Sequence, residues 1–202
     1  MNRSNPKAPL DGGQTRAAAG VPRNLVLIGM PGSGKSTTGV LLAKSLCLDF
    51  IDTDLLIQKR EGQTLQSLID QTGIDRFLVC EKEAILSLDR RLAGTVIATG
   101  GSAVLSDPTM KYLRDLGLVI FLDVPLDYLQ RRLRSIHARG IAMKPGQSLA
   151  DVYQDRLPLY RKYADRTVRA GRQSLEQTVD FLIGNLRVEG FEPCRTQEIP
   201  AG

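Results

Sequence analysis

Residues 29–37 constrain this chain more than any other stretch, because their spacing is typical of a loop that wraps around phosphate groups. Gly29 and Gly34 are separated by four residues, and Lys35 and Ser36 follow directly. Glycine permits a turn whose backbone N–H groups point inward, and it leaves room for the phosphates. The alternative is a glycine-rich turn without a ligand. The apolar residues 24–28 predict a buried strand before the loop, and residues 35–46 predict a helix whose N-terminus faces an anion.

This pattern predicts nucleotide binding with distinct roles for two side chains. Lys35 would neutralise the terminal phosphates, and Ser36 would hold Mg²⁺. The residues expected to bind the nucleotide are Gly29, Gly32, Ser33, Gly34, Lys35, Ser36 and Thr37.

Composition predicts one globular domain. The chain has 202 residues, of which 42% are apolar and 24% are charged. Its longest apolar runs are strand-sized, so we expect no membrane span, and the N-terminus has no apolar core typical of a secretory signal. The three cysteines are far apart and form no C-x-x-C pair, so neither a disulfide framework nor a zinc site is predicted. A cytoplasmic location is therefore expected.

Positive charge is concentrated in one segment of the chain. Residues 131–172 contain eleven Lys or Arg against three Asp, a local excess of +8 in a chain of net charge +5. Such a segment suits anionic ligands. A solvated basic helix face and a nucleic-acid surface are the alternatives. Because the chain has five Phe, five Tyr and no Trp, a base-stacking surface is not favoured, and no nucleic-acid partner is expected.

Strands and helices alternate along the chain, which predicts a doubly wound parallel sheet. Residues 1–22 are expected to form a flexible tail, residues 23–188 the domain, and residues 189–202 a second tail. The predicted strands are 24–28, 48–52, 95–98, 118–122 and 166–169. Predicted helices cover 35–46, 55–92 with interruptions at Gly62 and Gly73, 108–113, 126–135, 149–163 with a break at Pro158, and 175–186.

Polar residues follow the second and third predicted strands. Asp52 and Asp54 end the second strand, and Gly100 and Gly101 follow the third. The carboxyl ends of parallel strands meet at one edge of the sheet, where ligands bind. Asp54, or Thr53, alternatively caps the next helix. Asp123 ends the fourth strand, where it either holds Mg²⁺ or only terminates the strand.

Residues 135–147 are expected to form a mobile lid. They contain Gly140, Pro145 and Gly146, and two arginines, Arg132 and Arg139, lie beside or within the segment. His137, the sole histidine, also lies there, and a structural role is expected for it in preference to that of a catalytic base.

Four motifs occur in an order that resembles the shikimate kinase family. They are residues 29–37, Phe50-Ile51-Asp52-Thr53-Asp54, Ala98-Thr99-Gly100-Gly101, and Arg156-Leu157-Pro158-Leu159-Tyr160 with Ala164-Asp165. The resemblance covers residues 24–186. It implies a three-layer α/β P-loop kinase fold with a five-stranded parallel sheet of order 2-3-1-4-5, helices on both faces and a mobile lid.

The same resemblance implies an enzyme that uses ATP and Mg²⁺ to phosphorylate a small carboxylated cyclic polyol, with shikimate as the expected acceptor. Asp52 would lie near Mg²⁺ with Ser36, and Asp54 would hold the reacting hydroxyl. Gly100 and Gly101 would contact the acceptor, and Arg156 would pair with its carboxylate. Arg132 and Arg139 would close over ATP. The implied catalytic residues are Lys35, Asp54 and Arg139, and a monomer is expected.

The chain departs from the family at the acceptor side. Members usually carry G-E-x-x-F-R-x-x-E, and here Leu78 stands in the arginine position, so Glu81 loses its helical partner. Lys82 lies four residues after Leu78 on the same helical face, where it is expected to compensate in part as a substrate-binding residue. Ser102 replaces the third loop glycine, and the lid reads Arg139-Gly140-Ile141-Ala142 in place of Arg-Pro-Leu-Leu.

Two other functions stay open at this point. One is a kinase of the same family whose acceptor is more apolar near Leu78. The other is a regulatory protein that binds a nucleotide or effector and has lost turnover.

Overall fold

A computed structural model describes residues 24–134, 140–144 and 146–188. The predicted tails lie outside these residues, as do Arg139, His137 and the rest of 135–139 and residue 145 of the predicted lid. The sheet consists of β1 (Asn24–Ile28), β2 (Asp49–Asp52), β3 (Thr95–Ala98), β4 (Leu118–Asp123) and β5 (Arg166–Arg169). All pairings are parallel and the order is β2-β3-β1-β4-β5, which confirms the predicted topology.

The described part of the chain has seven α-helices and one short 3-10 helix, Ala103–Leu105. The α-helices are α1 (Lys35–Leu46), α2 (Thr53–Glu61), α3 (Leu65–Leu86), α4 (Asp107–Leu116), α5 (Leu126–Arg134), α6 (Leu149–Tyr163) and α7 (Leu175–Val188). The helical region after β2 differs from its prediction at both ends, because α2 begins directly after β2 and α3 ends at Leu86. Gly73 has left-handed geometry (φ 81°, ψ 168°) and kinks α3 where an interruption was expected.

The predicted break at Pro158 is wrong, since α6 runs continuously from Leu149 to Tyr163. A proline removes one backbone donor and costs about 3 kcal/mol inside a helix. Here the helix is anchored on both sides of the proline. The buried Arg156 and Tyr160 both donate hydrogen bonds to the carbonyl oxygen of Gly101. Tertiary contacts therefore outweigh the local preference.

The sheet separates two apolar cores. Successive residues of a strand point to opposite faces, and β1 is buried along its whole length. Val26 and Ile28 pack with α4 and α6, where Phe121 stacks on Tyr160 with ring centroids 5.0 Å apart. Leu25 and Leu27 pack against α1 and α7 on the other face. This arrangement gives the expected three layers and fixes the carboxyl end of β1, from which the phosphate loop begins.

A third cluster lies beside the sheet. Ile57 of α2 and Leu68, Phe77 and Ala84 of α3 pack together with Ala142 of the lid segment. This cluster joins α2 and α3 to residues 140–142 and forms one wall of the cleft. No helix among the described residues is long and apolar enough to span a bilayer.

Candidate active site

A cleft of about 360 Å³ opens where β1, β2 and β3 end. Its walls come from the phosphate loop, the start of α2, the middle of α3, the loop after β3, residues 140–142 and α6. Among its lining residues are Gly32, Gly34, Lys35, Ser36, Thr37, Asp52, Asp54, Glu81, Gly100, Gly101 and Arg156. Elements remote in sequence thus meet in one space, as the strand-end argument predicted.

The phosphate loop presents a helix N-terminus to the cleft. Gly34 precedes α1 in the left-handed region (φ 92°), and within the described residues no side chain caps the helix. Ser33 closes the preceding turn by donating its N–H to Met30 O at 3.1 Å. The first-turn N–H groups of Ser36 and Thr37 therefore lie at the cleft wall without a capping acceptor, which is the arrangement that binds phosphate.

Hydrogen bonds to the backbone of the phosphate loop hold Lys35 in place. Its ammonium donates to Gly29 O at 2.8 Å and Met30 O at 2.9 Å, and the side chain is buried. Burial lowers the pKa of Lys35 to about 8, while the carboxylates of Asp54, Asp52 and Glu81 oppose the shift. Lys35 thus remains mostly protonated at neutral pH and supplies a preorganised positive charge.

Arg132 reaches the phosphate loop from α5. Its Nη1 atom lies 3.3 Å from Gly32 O and 3.5 Å from Ser33 O. A Cβ atom placed on Gly34 would lie 3.7 Å from the same nitrogen, so the guanidinium borders the space that the phosphates need. Arg139, the second predicted lid arginine, lies outside the described residues.

Asp52 and Asp54 have different local roles. Asp52 caps α2 by accepting the N–H of Asp54 at 2.9 Å, so the cap that was considered for Asp54 or Thr53 belongs to Asp52. The Thr53 hydroxyl accepts the N–H of Gly100 at 3.1 Å and ties the two loops together. Asp54 lies in the first turn of α2 and lines the cleft.

The donor set fits Mg²⁺. Ser36 and Asp52 both line the cleft and offer oxygen atoms, while the described residues contain no group of three His, Cys, Asp or Glu that would form a protein cage. Mg²⁺ usually binds one or two protein oxygens and completes its shell with water and phosphates. Asp123 is half-buried at the end of β4, where its backbone oxygen accepts from Ala170 N at 2.9 Å, and it is not a cleft residue.

Arg156 is the cationic side chain of the acceptor side. It is 4% exposed, and it donates from Nη1 to Gly101 O at 3.0 Å and from Nη2 to Ala142 O. Tyr160 donates its hydroxyl to the same Gly101 oxygen at 2.6 Å. The loop after β3, α6 and the lid segment are therefore fastened together around one guanidinium.

Lys82 lies beside the main cleft and not in it. Leu78 and Lys82 border a smaller cavity of about 60 Å³, and neither lines the main cleft. Lys82 is exposed at that position. The spacing of four residues does place both side chains on one helical face, and this face borders the smaller cavity, which shares Glu81 and Ser102 with the main cleft. Compensation by Lys82 for the absent arginine therefore stays a prediction, for a side chain that lies outside the main cleft.

Glu81 is the cleft residue that the sequence did not assign to the site. It is 2% exposed and lines both cavities with Ser102. The pKa of Glu81 is raised to about 7, mainly by burial and also by the nearby Asp54, while Ser102, Arg156 and Lys35 oppose the shift. The sequence feature that points to Glu81 is the family motif, in which it stands three residues after the position of the replaced arginine.

Residues 140–142 close one side of the cleft. A Cβ atom on Gly140 would lie 2.7 Å from both the backbone carbon and Cβ of Leu65, so the lid segment touches the start of α3. Ala142 is buried in the third cluster. The close contact at Gly140 explains why this lid lacks a ring or side chain at that position.

A parallel sheet of order 2-3-1-4-5, a phosphate loop and an acidic residue facing it define a P-loop kinase of small molecules. A family model described as shikimate kinase matches residues 31–187. The chain therefore belongs to the shikimate kinase family, and it is an ATP-dependent kinase.

Individual relatives agree with the family match. A shikimate kinase of Thiobacillus denitrificans is 39% identical over 165 residues, which cover 81% of this chain and 90% of the relative. A shikimate kinase of Haemophilus influenzae is 36% identical over 164 residues, with 80% and 91% covered. The solved structure of a shikimate kinase from Acinetobacter baumannii in complex with shikimate has a TM-score of 0.73 and 26% identity, with 83% of this chain and 94% of that chain covered.

Proposed function

We propose that this protein transfers the γ-phosphoryl group of ATP to a hydroxyl group of shikimate and forms shikimate 3-phosphate. The observation that carries the proposal is the meeting of Lys35, Asp54 and Arg156 in one cleft of about 360 Å³. Lys35 suits the phosphate groups of the donor, Asp54 a hydroxyl group of the acceptor, and Arg156 the carboxylate of the acceptor. The solved complex of the Acinetobacter baumannii shikimate kinase with shikimate supports shikimate as the ligand.

The donor side acts by position and charge. During transfer, negative charge spreads over the γ-phosphoryl oxygens. Lys35 and Arg132 lie at the loop where this charge develops, and the N–H groups of the α1 N-terminus add donors that need no rearrangement. Ser36 and Asp52 would hold Mg²⁺, which neutralises phosphate charge when bound. We extend the same role to Arg139, which belongs to the predicted lid.

Asp54 would orient the acceptor. Its carboxylate would accept a hydrogen bond from the reacting hydroxyl group, whose oxygen forms a bond to the γ-phosphorus as the bond from that phosphorus to the bridging oxygen of ADP breaks. The hydroxyl proton passes to Asp54 late in the transfer. Loss of one such aligned group costs about 3 kcal/mol, or at least about 100-fold in rate.

Arg156 and the loop after β3 would hold the carboxylate of the acceptor. The guanidinium has five N–H donors, and two of its nitrogen atoms already bind carbonyl oxygens of the cleft wall. Its remaining donors favour a carboxylate at the cleft surface. Gly100 and Gly101 let the acceptor approach the backbone, because a side chain on Gly100 would overlap Glu81.

We also propose a cytoplasmic monomer that binds neither nucleic acid nor membranes. Two observations support this setting. Cys47 and Cys80 are free thiols, as expected in a reducing compartment. Within the basic segment, Arg132 reaches the phosphate loop and Arg156 lines the cleft, where they would bind ATP and a carboxylate.

The test is ATP consumption by the full-length protein with Mg²⁺ and a panel of hydroxylated acids, polyols and sugars, with mass detection of the product. We expect ADP formation that depends on shikimate and a product that is one phosphoryl group heavier. Selective turnover of a different acceptor would favour the kinase with an altered substrate, for which Leu78 in the arginine position is the supporting feature. ATP binding without turnover on any acceptor would favour the regulatory alternative.

A further inference from the structure

Glu81 is a buried carboxyl group whose charge has no matched cation. Its Oε1 atom is buried and has no hydrogen-bond partner among the described residues, and no ion pair within 4.0 Å joins it to a described Lys or Arg. A hydrogen bond from Ser102 stabilises the charged form, but a buried carboxylate without a matched cation is still destabilising. An unpaired polar atom that faces a cleft therefore indicates a contact that a ligand completes.

The groups that face Glu81 come from every element packed around it. Asp54 faces it from α2, Ser102 from the loop after β3, Lys35 from α1 and Arg156 from α6. A Cβ atom on Gly100 would overlap Glu81 Oε1 and lie 2.8 Å from Asp54 Oδ1, so the two carboxyl groups converge on the same glycine.

Neither nearby cation forms an ion pair with Glu81, although both oppose the rise of its pKa. The ammonium of Lys35 is bound to Gly29 O and Met30 O, and two nitrogens of Arg156 are bound to Gly101 O and Ala142 O. Two carboxyl groups that share a buried space lose one charge by taking up a proton. Glu81 is the more buried of the two, and its pKa is raised to about 7 by burial.

Leu78 explains why the proton is needed. It lies one helical turn before Glu81, and the two residues border the same cavity of about 60 Å³. An arginine at this position would reach Glu81 and a bound carboxylate, whereas leucine supplies no donor. A carboxylate acceptor therefore brings a third negative group to a site with one guanidinium.

We propose that Glu81 is an acceptor-binding residue that is protonated in the complex and donates a hydrogen bond from its carboxyl group to the carboxylate that Arg156 holds. This inference rests on the proposed function, since it assumes a carboxylate acceptor. Binding is then coupled to proton uptake. Protonation gives Glu81 an O–H donor in place of the arginine N–H. The same protonation removes the negative charge that would repel the acceptor carboxylate.

The coupling has a definite sign. Below pH 7 Glu81 is already protonated and the affinity for the acceptor is constant. Above pH 7 Glu81 is ionised in the free protein, so it must take up a proton from solution when the acceptor binds. The dissociation constant of the acceptor therefore rises by about tenfold between pH 6 and pH 8. Uptake is about 0.1 proton per acceptor at pH 6 and about 0.9 at pH 8.

The experiment is titration calorimetry of the full-length protein with shikimate, without nucleotide or metal, at pH 6 and pH 8 in buffers of different ionisation enthalpy. We expect the uptake given above for the native chain. Glu81→Gln keeps a neutral donor, so its uptake and the pH dependence of its dissociation constant should fall to the part that Lys35, whose pKa is about 8, supplies. Glu83→Gln is the matched control, because Glu83 lies two residues away on α3 and pairs with Arg60 at 3.1 Å on the surface; it should behave like the native chain.

Leu78→Arg gives a second test that leaves Glu81 in place. The new guanidinium should keep Glu81 ionised, so proton uptake at pH 8 falls to the part that Lys35 supplies while shikimate binds more tightly. Absence of uptake in the native chain at pH 8, or uptake in Glu81→Gln equal to that of the native chain, would overturn the inference.

The failure of this inference differs from failure of the proposed function. If shikimate is bound and phosphorylated without linked proton uptake, only the role of Glu81 is wrong. If shikimate shows neither binding at any pH nor turnover, the assignment of the acceptor is wrong, and the role of Glu81 falls with it.

Discussion

The two halves of the cleft are built in different ways. The nucleotide half, residues 29–37 with Arg132, comes almost entirely from one continuous stretch, and its donors are largely backbone groups. The acceptor half, Asp54, Glu81, Gly100, Gly101 and Arg156, is assembled from α2, α3, the loop after β3 and α6. Side-chain substitutions leave the backbone N–H donors of the nucleotide half in place. One substitution in the acceptor half, by contrast, alters its charge.

The charge of the two halves differs accordingly. Lys35 and Arg132 give the nucleotide half two cations beside a helix N-terminus. The acceptor half has one buried guanidinium, Arg156, against the carboxyl groups of Asp54 and Glu81. Donor recognition is therefore robust in this chain, while acceptor recognition depends on the protonation and position of a few side chains.

The largest expected effect tests the nucleotide half. Lys35→Ala removes the buried ammonium from the loop, so we expect turnover to fall by about 10³-fold and Mg²⁺-dependent ATP binding to be abolished. Coupled ADP formation and titration with ATP measure the two effects. Lys44→Ala, on the exposed face of the same helix, is the control and should leave both unchanged. ATP affinity that survives in Lys35→Ala would refute the role of the phosphate loop.

The next largest effect tests whether Asp54 acts in the acceptor half or in the nucleotide half. Asp54→Asn keeps the shape of the side chain but cannot accept the hydroxyl proton, so kcat should fall by about 100-fold while ATP affinity changes little. Steady-state kinetics with shikimate and a direct ATP titration separate these outcomes. Asp49→Asn, an exposed residue at the start of β2, serves as the control. A weakened ATP affinity with normal kcat would place Asp54 in the nucleotide half.

The sequence predicted the nucleotide half and the topology because both follow from local patterns. The glycine spacing of residues 29–37 fixes the loop, and the alternation of apolar strands with helices fixes the sheet, since parallel strands require crossover connections. The resemblance to a family supplied the strand order. Strand ends also placed Asp54 and Gly100 at one edge, where the structure has them.

Three features of the acceptor half depend on tertiary contacts that no local pattern encodes. The face of α3 that meets the cleft is set by the third cluster, so Lys82 turned outward and Glu81 inward. Hydrogen bonds to Gly101 hold α6 straight through Pro158. Asp52 became the helix cap because α2 starts one residue after β2, a boundary that periodicity does not resolve.

A smaller effect is expected when the arginine that the acceptor half lacks is restored. Leu78→Arg adds a guanidinium beside Glu81 and is expected to lower the KM for shikimate at pH 8 by about tenfold or more, the value of one charge-assisted contact. The KM for ATP should stay constant. Val79→Arg is the matched control, because Val79 is 43% exposed and lines neither cavity. An equal fall in both variants would indicate a general effect of positive charge.

The smallest effect concerns the contact between the lid segment and α3 that closes the acceptor half. Gly140→Ala would place a methyl group 2.7 Å from Leu65, so residues 140–142 must move off the start of α3. We expect a loss of about 1–2 kcal/mol in stability and a several-fold rise in the KM for shikimate, with ATP affinity nearly unchanged. Thermal unfolding and steady-state kinetics measure these changes. Gly184→Ala in α7 meets open space and should be neutral or slightly stabilising. If Gly140→Ala instead weakened ATP binding and left the acceptor unaffected, the lid segment would belong to the nucleotide half.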